Sequence, residues 1–397
     1  MVPKYYKYFY YFLMFSLLAE AQELERNDKI ILADIPGYIT LKGDFHMHTV
    51  FSDGHVWPTF RVREAENDGL DIIALTEHTG NSRVSHDYDV DHDVIKKDIS
   101  YDIAKTQPKN QVLIIKGAEI SPGVPPFHNN AIFIQKADDI PIDYLEMGDK
   151  YVMKKNATRE ELMAPFLEVK RQGGFVFYNH PMHLRQFYNW EKAENKDVFT
   201  DFHKELLEMG ILGGVEVVNG GRYNSMAHRI AEKYRLTMFA DSDAHHDIGF
   251  KDSHRPMTLV FAKSKTEEAV KDAILNGRTM IYHKDFLIGR IREAEPFFKS
   301  AIKLEAKMDK YKNMPILKVK ILNKTDVPYK ITFHSDYIVQ NLPMQRTTLI
   351  PHDNTEIMIG PLWDKPKEIN LEIEIQSILV SPDNSLKTEF KIPVPTK

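Results

Sequence analysis

At 397 residues the chain is too long for one ordinary compact domain and suits one large domain with a smaller companion. Its hydrophobic share of 43% and charged share of 27% are those of a globular protein, and a formal net charge of -5 argues against a nucleic-acid polymer or an anionic membrane surface, both of which select a basic excess. The absence of cysteine excludes disulfides, thiolate metal ligands and cysteine-linked lipids, so any metal must be held by His, Asp and Glu.

The first stretch, "MVPKYYKYFYYFLMFSLLAEAQ", places Lys4 and Lys7 before an apolar run from Phe9 to Leu18, followed by Ala19-Glu20-Ala21. That order predicts a signal peptide over residues 1–21, cut after Ala21. The run falls short of the ~20 apolar residues of a comfortable membrane span. The expectation is an exported chain, periplasmic or secreted, with no stable membrane span after cleavage. An uncleaved N-terminal anchor is the alternative.

After a lead-in over residues 22–37, seven segments read as buried strands: "YITLKGDFHMH", "LDIIALTEH", "QVLIIKGAEIS", "NNAIFIQ", "GGFVFYNHP", "GGVEVVNGG" and "RLTMFADSDAHH". Helical patterns lie between most of them: "PTFRVREAENDG", "TREELMAPFLEVKRQGG", "DFHKELLEMGI" and "NSMAHRIAEKYR". A last one, "SKTEEAVKDAILNGR", opens on a Ser/Thr-and-Glu cap and ends on Gly277. Strands alternating with helices predict a parallel sheet, and seven of them suit a β/α barrel over residues 38–292. From about Pro296 the pattern changes to period two with turns, as in "ILKVKILNKTD", "YKITFHS", "TTLIPHD", "EIMIGPL" and "INLEIEIQSI". This predicts a small antiparallel β-sandwich over residues 297–397. The loop "GNSRVSHDYDVDHD" reads either as a lid or as a solvated segment.

Metal-competent residues recur at strand ends. The first strand finishes in His46 and His48, followed by a Ser-Asp-Gly turn with Asp53. Glu77-His78, Glu119, Asn179-His180 and Asp241, Asp243, His245 end later strands, and His128 opens another. Singly, a buried histidine is usually a hydrogen-bonded core residue and a Ser-Asp-Gly turn is usually a turn. Glu77 and Asp241 fit equally as ligands or as groups that orient ligands. Together they would crowd the C-terminal mouth of a barrel, where barrel enzymes keep their sites.

These residues resemble the PHP family, named for polymerase and histidinol phosphatase domains. The motifs are "DFHMHTVFSDG", "ALTEH", "GAEIS" with the following His128, "YNHP" and "ADSDAH", in the family's order over about residues 38–290. The stretch "HTVFSDGHVWPTFRVREAENDGLDIIALTEH" is similar to a secreted branch of PHP phosphodiesterases. The resemblance implies a distorted seven-stranded barrel holding three divalent ions. His46, His48, Glu119 and Asp243 would hold the first, and Glu119, His128 and His180 the second. Asp53, His78 and His245 would hold the third. Asp53 stands where many members carry histidine, which would favour a harder ion such as Mn2+. Met182, His183, Leu184 and Arg185 depart from the family's usual Gly and Trp after the Asn-His-Pro.

Nitrogen and oxygen donors suit Mn2+, Zn2+ or Fe2+. Ions that share a carboxylate lie about 3.5–4 Å apart, and a water bridging them ionises near neutral pH. That chemistry suits hydrolysis of a small phosphate ester, with a diester favoured by the closer resemblance. The rivals are a phosphatase acting on monoesters and an inactive exported metal- or ligand-binding protein. A nuclease is the weakest reading. Arg83, Arg185 and Arg222 follow strand ends and are candidate phosphate clamps, while His183, His86 and His92 are candidate acids for the leaving group. Neither a cysteine nucleophile, a glycine-rich nucleotide loop nor a Gly-x-Ser-x-Gly elbow is present.

Overall fold

A computed structural model of the chain describes residues 30–79, 98–108, 111–146, 152–181, 198–249 and 254–395. The expected signal segment, Arg83, His86, His92, His183 and Arg185 lie outside these residues. The strands are β1 (Ile39–Asp44), β2 (Ile72–Leu75), β3 (Leu113–Ile120), β4 (Asn129–Ile132), β5 (Leu145–Glu146), β6 (Val152–Met153), β7 (Phe175–Tyr178), β8 (Leu212–Asn219), β9 (Arg222–Tyr223) and β10 (Thr237–Asp241). They continue as β11 (Met257–Ala262), β12 (Thr279–His283), β13 (Phe286–Gly289), β14 (Ile302–Tyr311), β15 (Met314–Asn323), β16 (Tyr329–His334), β17 (Arg346–Leu349), β18 (Asn354–Ile359), β19 (Glu368–Ser381) and β20 (Asn384–Pro393). The helices are α1 (Pro58–Asn67), α2 (Asp98–Ala104), α3 (Arg159–Arg171), α4 (Asp201–Glu208), α5 (Ser225–Tyr234), α6 (Glu267–Leu275) and α7 (Ile291–Ala301).

All seven strands expected before the sandwich form, but the sheet is mixed rather than parallel. Its order is β10-β8-β7-β4-β3-β2-β1-β11-β12-β13-β19-β16-β17. β4 runs antiparallel to both β3 and β7. The connection from Ile120 to Asn129 contains no helix, and a parallel crossover needs a dozen or more residues. The run "MTLVFA" forms β11, which pairs antiparallel with β1 along Ile39 to Gly43.

No ladder closes β10 onto β1 among the described residues. Side chains link the two instead: Phe45 N donates to Asp241 Oδ1 (2.7 Å) and Ser242 N donates to Asp44 Oδ1 (3.0 Å). Beyond the strand ends, backbone bonds resume, from His48 N to Ala244 O (3.0 Å) and from Asp243 N to His46 O (2.9 Å).

Phe45, Phe177 and Phe239 fill the space between the strands, all fully buried, with the Phe177 and Phe239 rings stacked 4.2 Å apart. Helices begin where the sequence supplies caps. Thr158 and Glu161 form a reciprocal capping box at α3, Asn224 Oδ1 accepts Met226 N and Ala227 N at α5, and Thr266 Oγ1 accepts Ala269 N at α6.

The C-terminal part is an antiparallel β domain with a three-stranded sheet β14-β15-β18 facing β20-β19-β16-β17. It shares one hydrophobic core with the first part, and β19 pairs parallel with β13, making the larger sheet continuous between them. Among the described residues no helix is long and apolar enough to cross a membrane.

Candidate metal centre

All nine residues expected as ligands converge at one end of the sheet. Four overlapping groups place donor atoms within 4.8 Å of one another: His48, Asp53, His78, His245; His46, His48, Asp243; His46, Glu119, His180; and His78, Glu119, His128. His46 and His48 follow β1 and are fully buried, with Nε2 atoms 3.1 Å apart. Asp243 Oδ1 lies 3.2 and 3.3 Å from those nitrogens, and Glu119 Oε2 lies 3.5 and 3.4 Å from them.

Such spacings are those of ligands around an ion. Bonds of about 2.0–2.1 Å in a tetrahedron give ligand-to-ligand edges of about 3.3 Å. Glu119 Oε2 has imidazole nitrogens on several sides, including His78 Nδ1 at 2.9 Å, yet no hydrogen-bond geometry joins it to any of them. A buried oxygen so placed is costly unless a cation faces it. The other oxygen, Oε1, points to His128 Nδ1 (2.9 Å) and His180 Nε2 (3.6 Å), so Glu119 faces two groups at once. On the far side, Asp53 Oδ2 meets His245 Nε2 (3.1 Å) and His78 Nε2 (3.3 Å). The donor set fits divalent ions.

Neighbouring residues fix which nitrogen each ring offers. His46 Nδ1 donates to Glu216 Oε1 at 2.7 Å, leaving the Nε2 lone pair turned inward. His48 Nδ1 donates to Ser52 Oγ (3.2 Å), whose hydroxyl donates to Glu77. His245 Nδ1 donates to the carbonyl of Asp243 (2.9 Å). Glu77 therefore orients rather than ligates. Asp241 likewise bonds the Phe45 backbone.

Sequence reasoning missed Glu216, which stands inside the apolar strand "LGGVEVVN" and also accepts from His180 N (2.7 Å) and Asn219 Nδ2 (3.0 Å). It missed Arg61 of α1 as well. The Arg61 guanidinium donates to the carbonyls of His48 (3.0 Å), Ala244 (2.7 Å) and His246 (2.8 Å), tying the two ligand-bearing turns together.

Local backbone strain and close packing collect here. His180 and Asp243 hold positive φ of 27° and 51°, which non-glycine residues seldom adopt. At Gly54 of the Ser-Asp-Gly turn, a Cβ would come within 2.6 Å of the His48 carbonyl carbon, so a glycine is needed for the turn to press against the His48 strand.

The electrostatics agree. Burial alone would lower the His46 imidazole, but Asp243, Glu216 and Glu119 raise it well above the ordinary histidine value. Burial opposes ionisation of Glu119, yet the surrounding imidazoles of His78, His128 and His46 hold it well below the usual carboxylate range. Burial dominates at His48, which falls to about 4. Such opposed carboxylates and imidazoles occupy ground that cations would share when present.

Beside the cluster lies a cavity of about 690 Å³, walled by His180, Asp243 and His245 on the metal side and by Arg222, Tyr223 and Asn224 on the other. Arg222 is exposed on β9, on this cavity's wall.

The chain is similar to a two-domain protein from Bacteroides vulgatus that contains a predicted PHP-like metal-dependent phosphoesterase. The two share 33% identity, the match covers 92% of this chain and 98% of that one, and the TM-score is 0.76. The chain belongs to the PHP-like metal-dependent phosphoesterase family. A PHP-associated family model matches residues 221–247, and an Ig-like domain model matches residues 302–391, the C-terminal β domain.

Two weaker structural likenesses have TM-scores too low to bear on the fold. A Bifidobacterium adolescentis protein classed as a metal-dependent phosphoesterase has 17% identity, coverage of 58% of this chain and 95% of that one, and a TM-score of 0.35. An amidohydrolase from Chromobacterium violaceum, with bound sulfate and no metal, has 14% identity, coverage of 52% and 90%, and a TM-score of 0.33. No curated protein matches the chain. Membership of the PHP-like family and the donor clusters together support divalent-metal binding and a hydrolase of phosphate esters.

Proposed function

We propose that the chain is an exported phosphodiesterase whose nine clustered residues hold three divalent ions, Mn2+, Zn2+ or Fe2+. The observation that carries the reading is Glu119, with one oxygen turned to the His46–His48 edge and the other to His128 and His180. His46, His48, Asp243 and Glu119 would hold the first ion. Glu119, His128 and His180 would hold the second, and Asp53, His78 and His245 the third. When bound, the ions would lower the pKa of a water held among them and offset charge on the phosphate oxygens.

The chain's own residues do the rest. Glu216 keeps the proton on His46 Nδ1 and the lone pair on Nε2. Ser52 and Glu77 do the same for His48. Arg222 on the cavity wall is the proposed phosphate clamp. Arg185 and His183 are retained as proposed clamp and leaving-group acid on sequence grounds. In this reading the sheet is a distorted seven-stranded barrel whose β1–β10 seam is held by Asp44 and Asp241. Residues 38–292 form the catalytic part and residues 297–397 a structural sandwich. Export is supported by the leader-like composition of residues 1–21.

Support for a diester comes from the cavity, which runs from His180 and Asp243 out to Tyr223 and leaves space for a second substituent on phosphorus. The test loads residues 22–397 with Mn2+ and compares matched aryl phosphate mono- and diesters. Faster diester cleavage is expected. Faster monoester cleavage would make the chain a phosphatase, and no turnover of either by the loaded protein would overturn the hydrolytic reading.

A further inference from the structure

A second cavity, of about 830 Å³, opens at the opposite end of the strands, where β7, β8 and β10 begin rather than end. Arg235, Arg290 and Arg292 line it, and Val380 of β19 brings the C-terminal β domain to its wall. Cavities at such junctions are common ligand seats.

Arginines near helix C-termini often serve only as caps, and two of these partly do. Arg290 Nη2 donates to the carbonyls of Ala231 (3.3 Å) and Leu236 (2.6 Å), while Arg292 Nη2 donates to those of Asn276 (2.9 Å) and Gly277 (3.1 Å). That capping uses one terminal nitrogen of each guanidinium. Arg290 Nη1 is left facing Gly277, where an added Cβ would lie 3.6 Å from it, 3.8 Å from Arg292 Nη2 and 3.8 Å from Thr237 Oγ1. Thr237 Oγ1 already donates to the Ile274 carbonyl (2.8 Å), which leaves Arg290 Nη1 as the donor facing this small hollow.

Two acids oppose the three arginines: Glu293, paired with Arg292, and Glu232 on the cavity wall. Among the described residues neither Arg235 nor Arg290 has a carboxylate within ion-pair distance. Positive charge is left over. Leu275 (58% exposed) and Ile291 (57% exposed) supply apolar surface beside it.

We propose that this cavity is a second ligand site, separate from the metal centre, for a small organic oxyanion whose head meets Arg290 and Arg235 and whose apolar body lies on Leu275 and Ile291. A phosphate or a carboxylate head would satisfy the same donors.

The test is titration calorimetry of the metal-loaded chain with phenylphosphonate and, separately, benzoate. Saturable binding of at least one probe is expected. Arg235→Gln and Leu275→Glu, both surface changes, should each weaken it at least fivefold, whereas Arg222→Gln at the metal-side cavity should leave it within twofold. The tighter probe identifies the head group. Absence of binding by both probes would overturn the proposal. So would binding indifferent to both Arg235→Gln and Leu275→Glu, or binding lost only in Arg222→Gln, which would place the probe at the metal centre.

Discussion

Replacing Glu216 by Gln tests how the metal centre is held without touching a ligand. Glu216 Oε2 accepts from the backbone N–H of His180 and from Asn219, while Oε1 accepts from His46 Nδ1. The backbone donor cannot be turned into an acceptor, so the single oxygen of glutamine would stay with His180. Its amide nitrogen would then face His46 Nδ1, converting that nitrogen to an acceptor and moving the ring proton to Nε2, the nitrogen meant for the ion. Losing such an orienting partner costs about 10–100-fold in metal affinity, or about 1.4–2.7 kcal/mol. In the metal-free chain the change removes both the attraction to His46 and the repulsion of Asp241, which oppose each other, so the urea midpoint should move by less than the metal affinity. Chelator competition for Mn2+ reads the affinity. An affinity within twofold of wild type would refute the tautomer argument, and an equal loss in the urea midpoint would make Glu216 merely structural.

Gly54→Ala should displace the turn carrying Asp53, because the new methyl would meet the His48 backbone; overpacking of this kind costs about 1–3 kcal/mol, and the bound metal count should fall. Unchanged stability and metal content would contradict it. Arg255 is fully buried between Asp44 (3.1 Å) and Asp68 (2.7 Å), so Arg255→Met should cost about 3–5 kcal/mol in urea unfolding by leaving buried carboxylates unpaired, and a loss below about 1 kcal/mol would count against that role. Burial pushes the His203 imidazole down to about 3, against about 6.5 when unfolded. Between those values the unfolded chain binds a proton that the native chain does not. Its contribution is therefore full above pH ~6.5 and lost as pH falls towards ~3, by up to about 1.4 kcal/mol per pH unit. Stability curves of wild type and His203→Gln should converge as pH falls through that range, and parallel curves would refute the assignment.

The clustered His, Asp and Glu residues were legible because polar side chains ending apolar strands need a reason to be there, and His46, His48, Glu119, His180 and Asp243 all did so. Glu216 was less visible. It lies within a strand rather than at its end, although a single acid among valines in a strand covered on both faces is itself a sign of a buried partner. The mixed sheet direction could have been read from the short link between Ile120 and Asn129. β11 could not have been placed so readily. The run "MTLVFA" shows that a buried strand exists, but not that it pairs with β1 and takes the edge a closing β10 would have used. Arg61 and Arg255 gave no signal either, since an arginine in an amphipathic helix or before a strand is ordinarily solvated, and only the fold shows the carbonyls and carboxylates they meet.

The most direct measurement is an anomalous-scattering map from a crystal grown with Mn2+, recorded at the manganese edge. The account predicts three peaks within about 2.0–2.3 Å of the donor atoms named above, one beside His46 and His48, one between Glu119, His128 and His180, and one beside Asp53, His78 and His245. A map with no peak at these residues, or with peaks only elsewhere on the chain, would contradict it.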